Sequence, residues 1–491
     1  MKTQYKVIDG KGIIPFGVNE IEENAFNGCE ELTEIIIPDT VMEIGEAAFS
    51  GCKRLRKVVI PESVKKISSF AFYNCKELTD VDCKGHLSRI ECSTFAHCHK
   101  LNEFVIPSTV AAIDQFAFND CKSLHNIIIP NSTSLIGPSA FYGCNISKIV
   151  IPPQVRYIGE GAFSNCPQLI SIVVDEHNTF YDSRDGCNAI IETESNILIQ
   201  GCKTSVIPNS AEEIGDFAFF LCETPSILNL PDSIVRIGKN AFNGCRSIQK
   251  AILPNAIVEI DDKAFDSCEN LTDLVFPDSV RIIGERAFSC CQGLKEIVIP
   301  KSVARIGEGA FVHCPNICSI IVEKGNRYYD SRDNCHAIIE TEHRTLIKGC
   351  GKTVIPNSIY TIGKYAFGGC EDLNSITIPL SITKIEDSAF CSCSFLEKVE
   401  FPEALLEIGD FAFFNCSSMT HIDIPYFVSE IGEEAFAHCS MLESVSIPDS
   451  VKIIGDNAFD SCYSLERIII KDPSLLKKAG LFEHVEIVNP E

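Results

Sequence analysis

Positive charge is in short supply. Against 67 Asp and Glu the chain sets 42 Lys and Arg, a formal net charge of −25 at pH 7. Nucleic-acid binding needs clustered Lys and Arg to displace counterions, so no nucleic-acid partner is expected. A polybasic membrane patch is missing for the same reason. No run of 18 apolar residues occurs, so no segment reads as a membrane-spanning helix. The opening Met1-Lys2-Thr3-Gln4-Tyr5-Lys6-Val7-Ile8-Asp9-Gly10 is not followed by an apolar stretch, so no signal peptide is read there. Location is left between the cytoplasm, if the chain is complete, and the cell surface or exterior, if a leader was removed. Catalytic signatures are also missing. There is no Cys-x-x-Cys, His-Glu-x-x-His or Gly-x-Ser-x-Gly, and Gly159-x-Gly161 and Gly307-x-Gly309 lack the third glycine of a nucleotide loop. The expectation is a protein that is not an enzyme and holds no cofactor or metal.

What the chain has in abundance is repetition. Seventeen times, from Phe26 to Phe459, a Phe is followed three residues later by a Cys, in steps of 23 residues apart from one of 22 and two of 56. A fixed period over this length means a repeat array, and a residue that recurs in phase is there for stacking. Hydrophobic content of 45% supplies a continuous core.

Residues 32–52 hold one repeat: Leu32, Ile35, Ile37, Pro38, Val41, Ile44, Gly45, Ala48, Phe49, Cys52. Alternating Ile35 and Ile37 read as the inward side of a strand, which Pro38 ends because proline has no N–H for the ladder. Lys84 is the one departure from proline at this phase. Gly45 suits a turn with φ > 0, and the Ala48-Phe49 segment suits a short helical or 3₁₀ turn. A Ser or Thr two residues after the proline, as at Thr40, Ser63, Thr109, Ser132, Ser279 and Ser450, is placed to bond backbone groups of a neighbouring coil. The in-phase cysteines read as small buried hydrophobes rather than disulfide partners.

The pattern closely resembles the BspA-like, or Treponema pallidum type, leucine-rich repeat family. Ile447-Pro448, Val451, Ile454-Gly455, Ala458-Phe459, Cys462 and Leu465 reproduce its hallmark, and the resemblance runs from about Ile13 to Ile470. It implies a β-rich α/β repeat solenoid, curved and right-handed, of about 17 coils, with a parallel sheet on the concave face and two β-hairpin interruptions. It further implies bacterial, adhesin-like protein binding. The expected organisation is a single solenoid over 1–491: an N-terminal cap (1–12), a first repeat block (13–174), a hairpin interruption (175–206), a second block (207–322), a second interruption (323–354), a third block (355–470) and a C-terminal cap (471–491).

Each 56-residue step contains the same extra segment, with Tyr181-Asp182-Ser183-Arg184-Asp185 in the first and Tyr329-Asp330-Ser331-Arg332-Asp333 148 residues later. Two short apolar runs around a polar turn read as a β-hairpin. A turn centred after Glu194 sets Cys187 opposite Cys202, and one after Glu342 sets Cys335 opposite Cys350. Each pair is open to a disulfide or to two free thiols, the latter preferred. The aspartates read as turn caps rather than as a calcium loop. The fourth repeat, with Cys83, His86, Cys92, His97, Cys98 and His99, reads as degenerate rather than zinc-binding, since its spacing matches no standard zinc motif.

The functional signal lies between the two inward Ile, where a side chain points outward. That position reads Ile36, Val59, Asp82, Val105, Ile128, Val150, Val173, Asn229, Ile252, Val275, Val298, Ile321 and then Thr377, Glu400, Asp423, Ser446, Ile469. An apolar stripe ending after Ile321 is the candidate partner-binding surface. A protein partner is expected, with an intracellular structural scaffold or a self-associating module as the alternative. A small-ligand or enzyme site at a hairpin is the remaining alternative, resting only on the repeated Asp-Ser-Arg-Asp cluster.

Overall fold

The computed structural model describes residues 5–490, so the outermost residues of both predicted caps lie outside the described residues. The chain divides into two compact units, one of Met1–Pro225 with Pro231–Ser247, the other of Ser226–Leu230 with Ile248–Glu491. Both are parallel β-solenoids. About 21 turns are stacked, against the seventeen of the Phe-x-x-Cys count. The strands Ser171–Val174, Ser319–Val322, Arg467–Ile469 and Glu486–Val488 also pair in parallel, and no Phe-x-x-Cys follows them within their coils.

Each coil builds three walls. The first is the long strand of the Ile-x-Ile segment. In the first unit Lys11–Ile13, Glu34–Ile36, Lys57–Ile60 and Asp80–Cys83 pair in parallel, with Gly12, Ile35, Val58 and Val81 level. Proline ends these strands as expected. At Lys84, where it is missing, the freed N–H donates to the Ile60 carbonyl at 2.9 Å. The second wall was not foreseen. Two-residue strands such as Glu20–Ile21, Glu43–Ile44 and Lys66–Ile67 form a second parallel ladder.

The third wall is the Ala-Phe segment, and it is neither helical nor 3₁₀. It is a turn ladder in which Asn24, Phe26 and Gly28 N–H groups donate to the Glu46, Ala48 and Ser50 carbonyls of the next coil at 2.7–2.9 Å. Such a ladder needs left-handed backbone two residues before and two residues after each Phe, as at Ala47 (φ 51°) and Gly51 (φ 69°). Gly45 is therefore not the positive-φ position. Its role is close approach: a Cβ there would lie 2.7 Å from the Ile21 carbonyl oxygen and the Glu23 nitrogen of the preceding coil.

The core is a column of rings. Phe26, Phe49, Phe72, Phe95, Phe118, Phe141 and Phe163 stack near-parallel with centroids 5.1–5.5 Å apart. In the second unit Phe367, Phe390, Phe413, Phe436 and Phe459 do the same at 4.9–5.7 Å. Burying such a ring contributes roughly 1.5–3 kcal/mol. The in-phase thiols are more than filler. Cys52 Sγ donates to the Phe26 carbonyl at 3.1 Å, Cys75 to Phe49 at 3.1 Å and Cys416 to Phe390 at 3.2 Å, so each weak S–H donor ties one coil to the one before.

The hydroxyl after the proline behaves less uniformly than expected. Thr40, Thr109 and Ser132 donate to carbonyls 22 residues earlier at 2.6–2.7 Å. The Oγ atoms of Ser63, Ser233, Ser279, Ser302, Ser381 and Ser450 are buried without a partner. Serine lacks the γ-methyl that restricts χ1 in threonine, so the phase alone does not aim its hydroxyl.

At the C-terminal end, Pro473–Leu476 forms a 3₁₀ helix whose Asp472 cap accepts from Ser474 N–H, and Glu486–Val488 adds a parallel strand to Arg467–Ile469.

Candidate functional site

Alternation along the long strands turns one residue per coil outward. Ile36 (68% exposed), Val105 (80%), Ile128 (75%) and Val275 (71%) are the most open, and Val150, Val173, Ile252, Val298 and Ile321 are also exposed. Val59 is half-buried. The predicted stripe thus exists as a surface. The first unit carries Val105, Ile128, Val150 and Val173 on four successive coils. The second carries Ile252, Val275, Val298 and Ile321 on four more. At about 4.8 Å between strands, each set spans about 15 Å.

The stripe is not shielded by its long polar neighbours. Lys57 reaches sideways to Asp80 at 3.0 Å and Lys250 to Asp273 at 2.5 Å, along the sheet. The Asp80 carboxylate raises the Lys57 ammonium pKa through its hydrogen bond. Such exposed pairs contribute little stability.

Val105 and Ile128 sit where the long-strand ladder is thinnest, since a single bridge, Glu103 to Asn126, is the pairing there. Phe104 takes the inward Ile position and wedges between Phe95 and Phe118 at 4.9 and 5.2 Å. These two side chains are the most exposed of the first unit's four.

Beyond Ile321 the outward position turns polar, as the sequence indicated. Thr377 donates to Glu400 at 3.0 Å, and His421 lies 3.1 Å from Asp423. These groups satisfy one another on the surface.

Each four-coil stripe ends at a hairpin. Ile190–Glu192 pairs antiparallel with Ile197–Gln200, and Ile338–Glu340 with Thr345–Lys348, as predicted. Tyr181–Asp182 and Tyr329–Asp330 add a third antiparallel strand to each. The cysteine register is one residue different from the expectation. A bulge between Ile190 and Ile191 pairs Ile190 with Gln200, which brings Asn188, not Cys187, level with Cys202. Cys202 Sγ accordingly donates to the Asn188 carbonyl, and Cys350 Sγ to that of His336, both at 3.6 Å. All four hairpin cysteines are free and buried.

The repeated polar cluster is largely self-satisfied. Tyr181 and Tyr329 are buried, and their hydroxyls accept the Ile158 and Ile306 N–H groups at 3.1 and 2.9 Å, capping the short-strand ladder. Asp182 caps the turn by accepting Arg184 N–H and grips the guanidinium at 2.7–3.1 Å. Asp330 does the same for Arg332. Asp185 and Asp333 point to solvent. Asp330, Ser331, Arg332 and His336 line a depression of ≈ 730 Å³ that also contains Ile321, and Asp182, Arg184 and Asn188 line its counterpart beside Val173. The cluster therefore lines a depression at the end of each four-residue row.

The fourth repeat is a regular coil whose Cys98 donates into the core to the Phe72 carbonyl. Burial pushes the Cys98 thiol up to about 12 and that of Cys83 up to about 11. What sequence reading missed is that His97 and His99 converge on Asp120, at 3.2 and 3.1 Å. The signal was available, because Asp120 follows His97 by 23 residues and so stacks directly on it.

The sequence matches the family described as BspA type leucine rich repeat region, in six copies, over residues 11–110, 88–185, 199–318 and 348–472. No curated protein matches it. Among solved structures it is similar to a leucine rich cell surface protein from Faecalibacterium prausnitzii A2-165, with 29% identity, 78% of this chain and 83% of that one covered, and a TM-score of 0.49. It is similar also to the pneumococcal vaccine antigen PcpA (18%, 99% and 96%, 0.48). It is similar also to a leucine-rich repeat protein from Bacteroides ovatus ATCC 8483 (23%, 98% and 94%, 0.36).

Proposed function

The chain belongs to the BspA-type leucine-rich repeat family, and from that premise we propose that it is a non-catalytic, adhesin-like protein that binds a protein partner through the outward face of its long strands. One observation carries the reading: four outward apolar residues on consecutive coils, ending at a hairpin wall, occur once in each unit. Monomeric surfaces rarely leave such rows uncovered without a binding role. On this reading the first block, 13–174, and the second, 207–322, carry the contact residues. The third block, 355–470, presents a self-satisfied polar face and serves as a spacer. An extended segment fits best, because outward residues spaced by one strand separation offer a row of shallow apolar steps rather than a closed pocket.

The test is selection of unstructured displayed peptides on the intact protein, followed by affinity measurement on a variant with Val105, Ile128 and Val150 all changed to Thr. Exposed positions tolerate threonine, so folding is retained. At about 0.8 kcal/mol for each buried carbon lost, and at least one lost at each position, affinity falls by at least about 2.4 kcal/mol, or roughly 50-fold or more. Equal affinity for variant and wild type would remove the stripe from the account. Concentration-dependent dimerisation abolished by the same variant would replace the partner with a second copy of this chain.

A further inference from the structure

We propose that His97, His99 and Asp120 form a binding site for a divalent first-row transition-metal ion on the turn-ladder wall of the first unit. His97 Nδ1 lies 3.2 Å and His99 Nε2 3.1 Å from the same oxygen, Asp120 Oδ2. All three ligand atoms fall within 4.8 Å of one another. Bonds of about 2.0–2.2 Å from one ion to imidazole nitrogen and carboxylate oxygen place neighbouring ligand atoms about 2.9 Å apart at right angles and about 3.3 Å apart at tetrahedral angles. The two observed separations fall between these limits. The third separation, between the two imidazole nitrogens, is within 4.8 Å, so one ion draws the two rings together around Asp120.

The ligands are also held in place before any ion arrives. His97 (φ 60°) and Asp120 (φ 58°) occupy the same left-handed position of successive coils. Their N–H groups donate to the Asn119 and Tyr142 carbonyls, each at 2.7 Å. The Tyr73 ring meets the His97 ring edge-on at 5.3 Å and limits its rotation. Each of the three side chains is half-buried, so the set is neither a loose surface cluster nor sealed from solvent. Two neutral imidazoles and one carboxylate suit zinc, nickel or copper better than calcium or magnesium, which favour oxygen donors. Water completes the coordination. Lys122 Nζ, 3.5 Å from Asp120 Oδ2, sits where an incoming cation is opposed, and its exposed, flexible stem lets it withdraw.

The experiment is calorimetric titration of the full chain with zinc chloride, and a parallel cobalt(II) titration read by absorbance. The variants are His97→Asn, which tolerates the left-handed backbone, His99→Gln and Lys122→Gln, each checked for unchanged circular dichroism. The expected result is about one ion per chain, bound at least tenfold more weakly by each histidine variant and several-fold more tightly by Lys122→Gln. Cobalt should give ligand-field bands without thiolate charge transfer. Binding unchanged in both histidine variants, or a thiolate band, would overturn the proposal and assign the ions to cysteines or scattered carboxylates.

Discussion

Replacing Phe288 with alanine probes the ring column at a ring with three aromatic neighbours. The ring is fully buried. Its centroid lies 5.3 Å from Phe265, 5.6 Å from Phe311 and 5.4 Å from Phe276, two stacked contacts and one edge contact. Phe→Ala in a core costs about 3–5 kcal/mol. Aromatic pairs contribute roughly 0.5–1.5 kcal/mol each beyond area, which places this site near the upper end. A solenoid is held by nearest-neighbour interfaces, so the loss should be local. At 4 kcal/mol, opening of the adjacent coils rises about 10³-fold. Hydrogen exchange with mass spectrometry reads this directly at the Phe265, Ser267 and Phe288 amides, whose acceptors are the Ala287, Ser289 and Ala310 carbonyls at 2.8 Å. Phe288→Leu should recover more than half of the loss. An effect below about tenfold, or one spread evenly to the coils around Phe436, would refute the stacking argument.

Changing Tyr181 to Phe leaves the Ile158 N–H without its acceptor, so urea denaturation should show a loss of about 1–3 kcal/mol, and fast exchange at Ile158. Ser279→Ala removes a hydroxyl that has no partner and should be neutral or stabilising by about 1 kcal/mol, whereas Thr109→Val breaks a 2.6 Å bond to the Leu87 carbonyl and should destabilise by about 1 kcal/mol. Burial pushes the Cys52 and Cys98 thiols up to about 12 and those of Cys416 and Cys439 well above the ordinary value. Folded thiols then keep protons that the unfolded chain releases above about pH 8.5. Stability from these groups is complete below that pH and is lost as pH rises towards 12, by up to about 1.4 kcal/mol per pH unit and thiol. The urea midpoint should fall between pH 8 and pH 10, and an unchanged midpoint would contradict the burial.

Much of the fold was legible because the period is strict. Ile35, Ile37, Phe49 and Cys52 recur in phase, so inward and outward faces could be assigned from spacing alone, and the exposed stripe followed. What spacing did not reveal is backbone conformation. Ala47, Phe70 and Phe116 all adopt the left-handed region that composition would assign to glycine. The ladder hydrogen bonds compel this, at about 1–2 kcal/mol per residue. Gly45 is kept instead for the backbone beneath it. The hairpin register failed for a similar reason: one bulged residue shifts every later pairing, and Cys187 loses its place opposite Cys202. The convergence of His97, His99 and Asp120 is legible only through the 23-residue period, because Asp120 lies one coil on, outside the segment dense in Cys and His.

On the proposed reading the outward face of the long strands binds a partner chain. The most direct measurement is the affinity of one selected peptide for two triple variants made to threonine: Val105, Ile128 and Val150 on the stripe, and Leu380, Leu406 and Met441, which are equally apolar and exposed but lie off it. A loss of roughly 50-fold or more on the stripe with less than about a twofold change off it is the predicted result. Equal losses at the two sets, or none at either, would contradict the account.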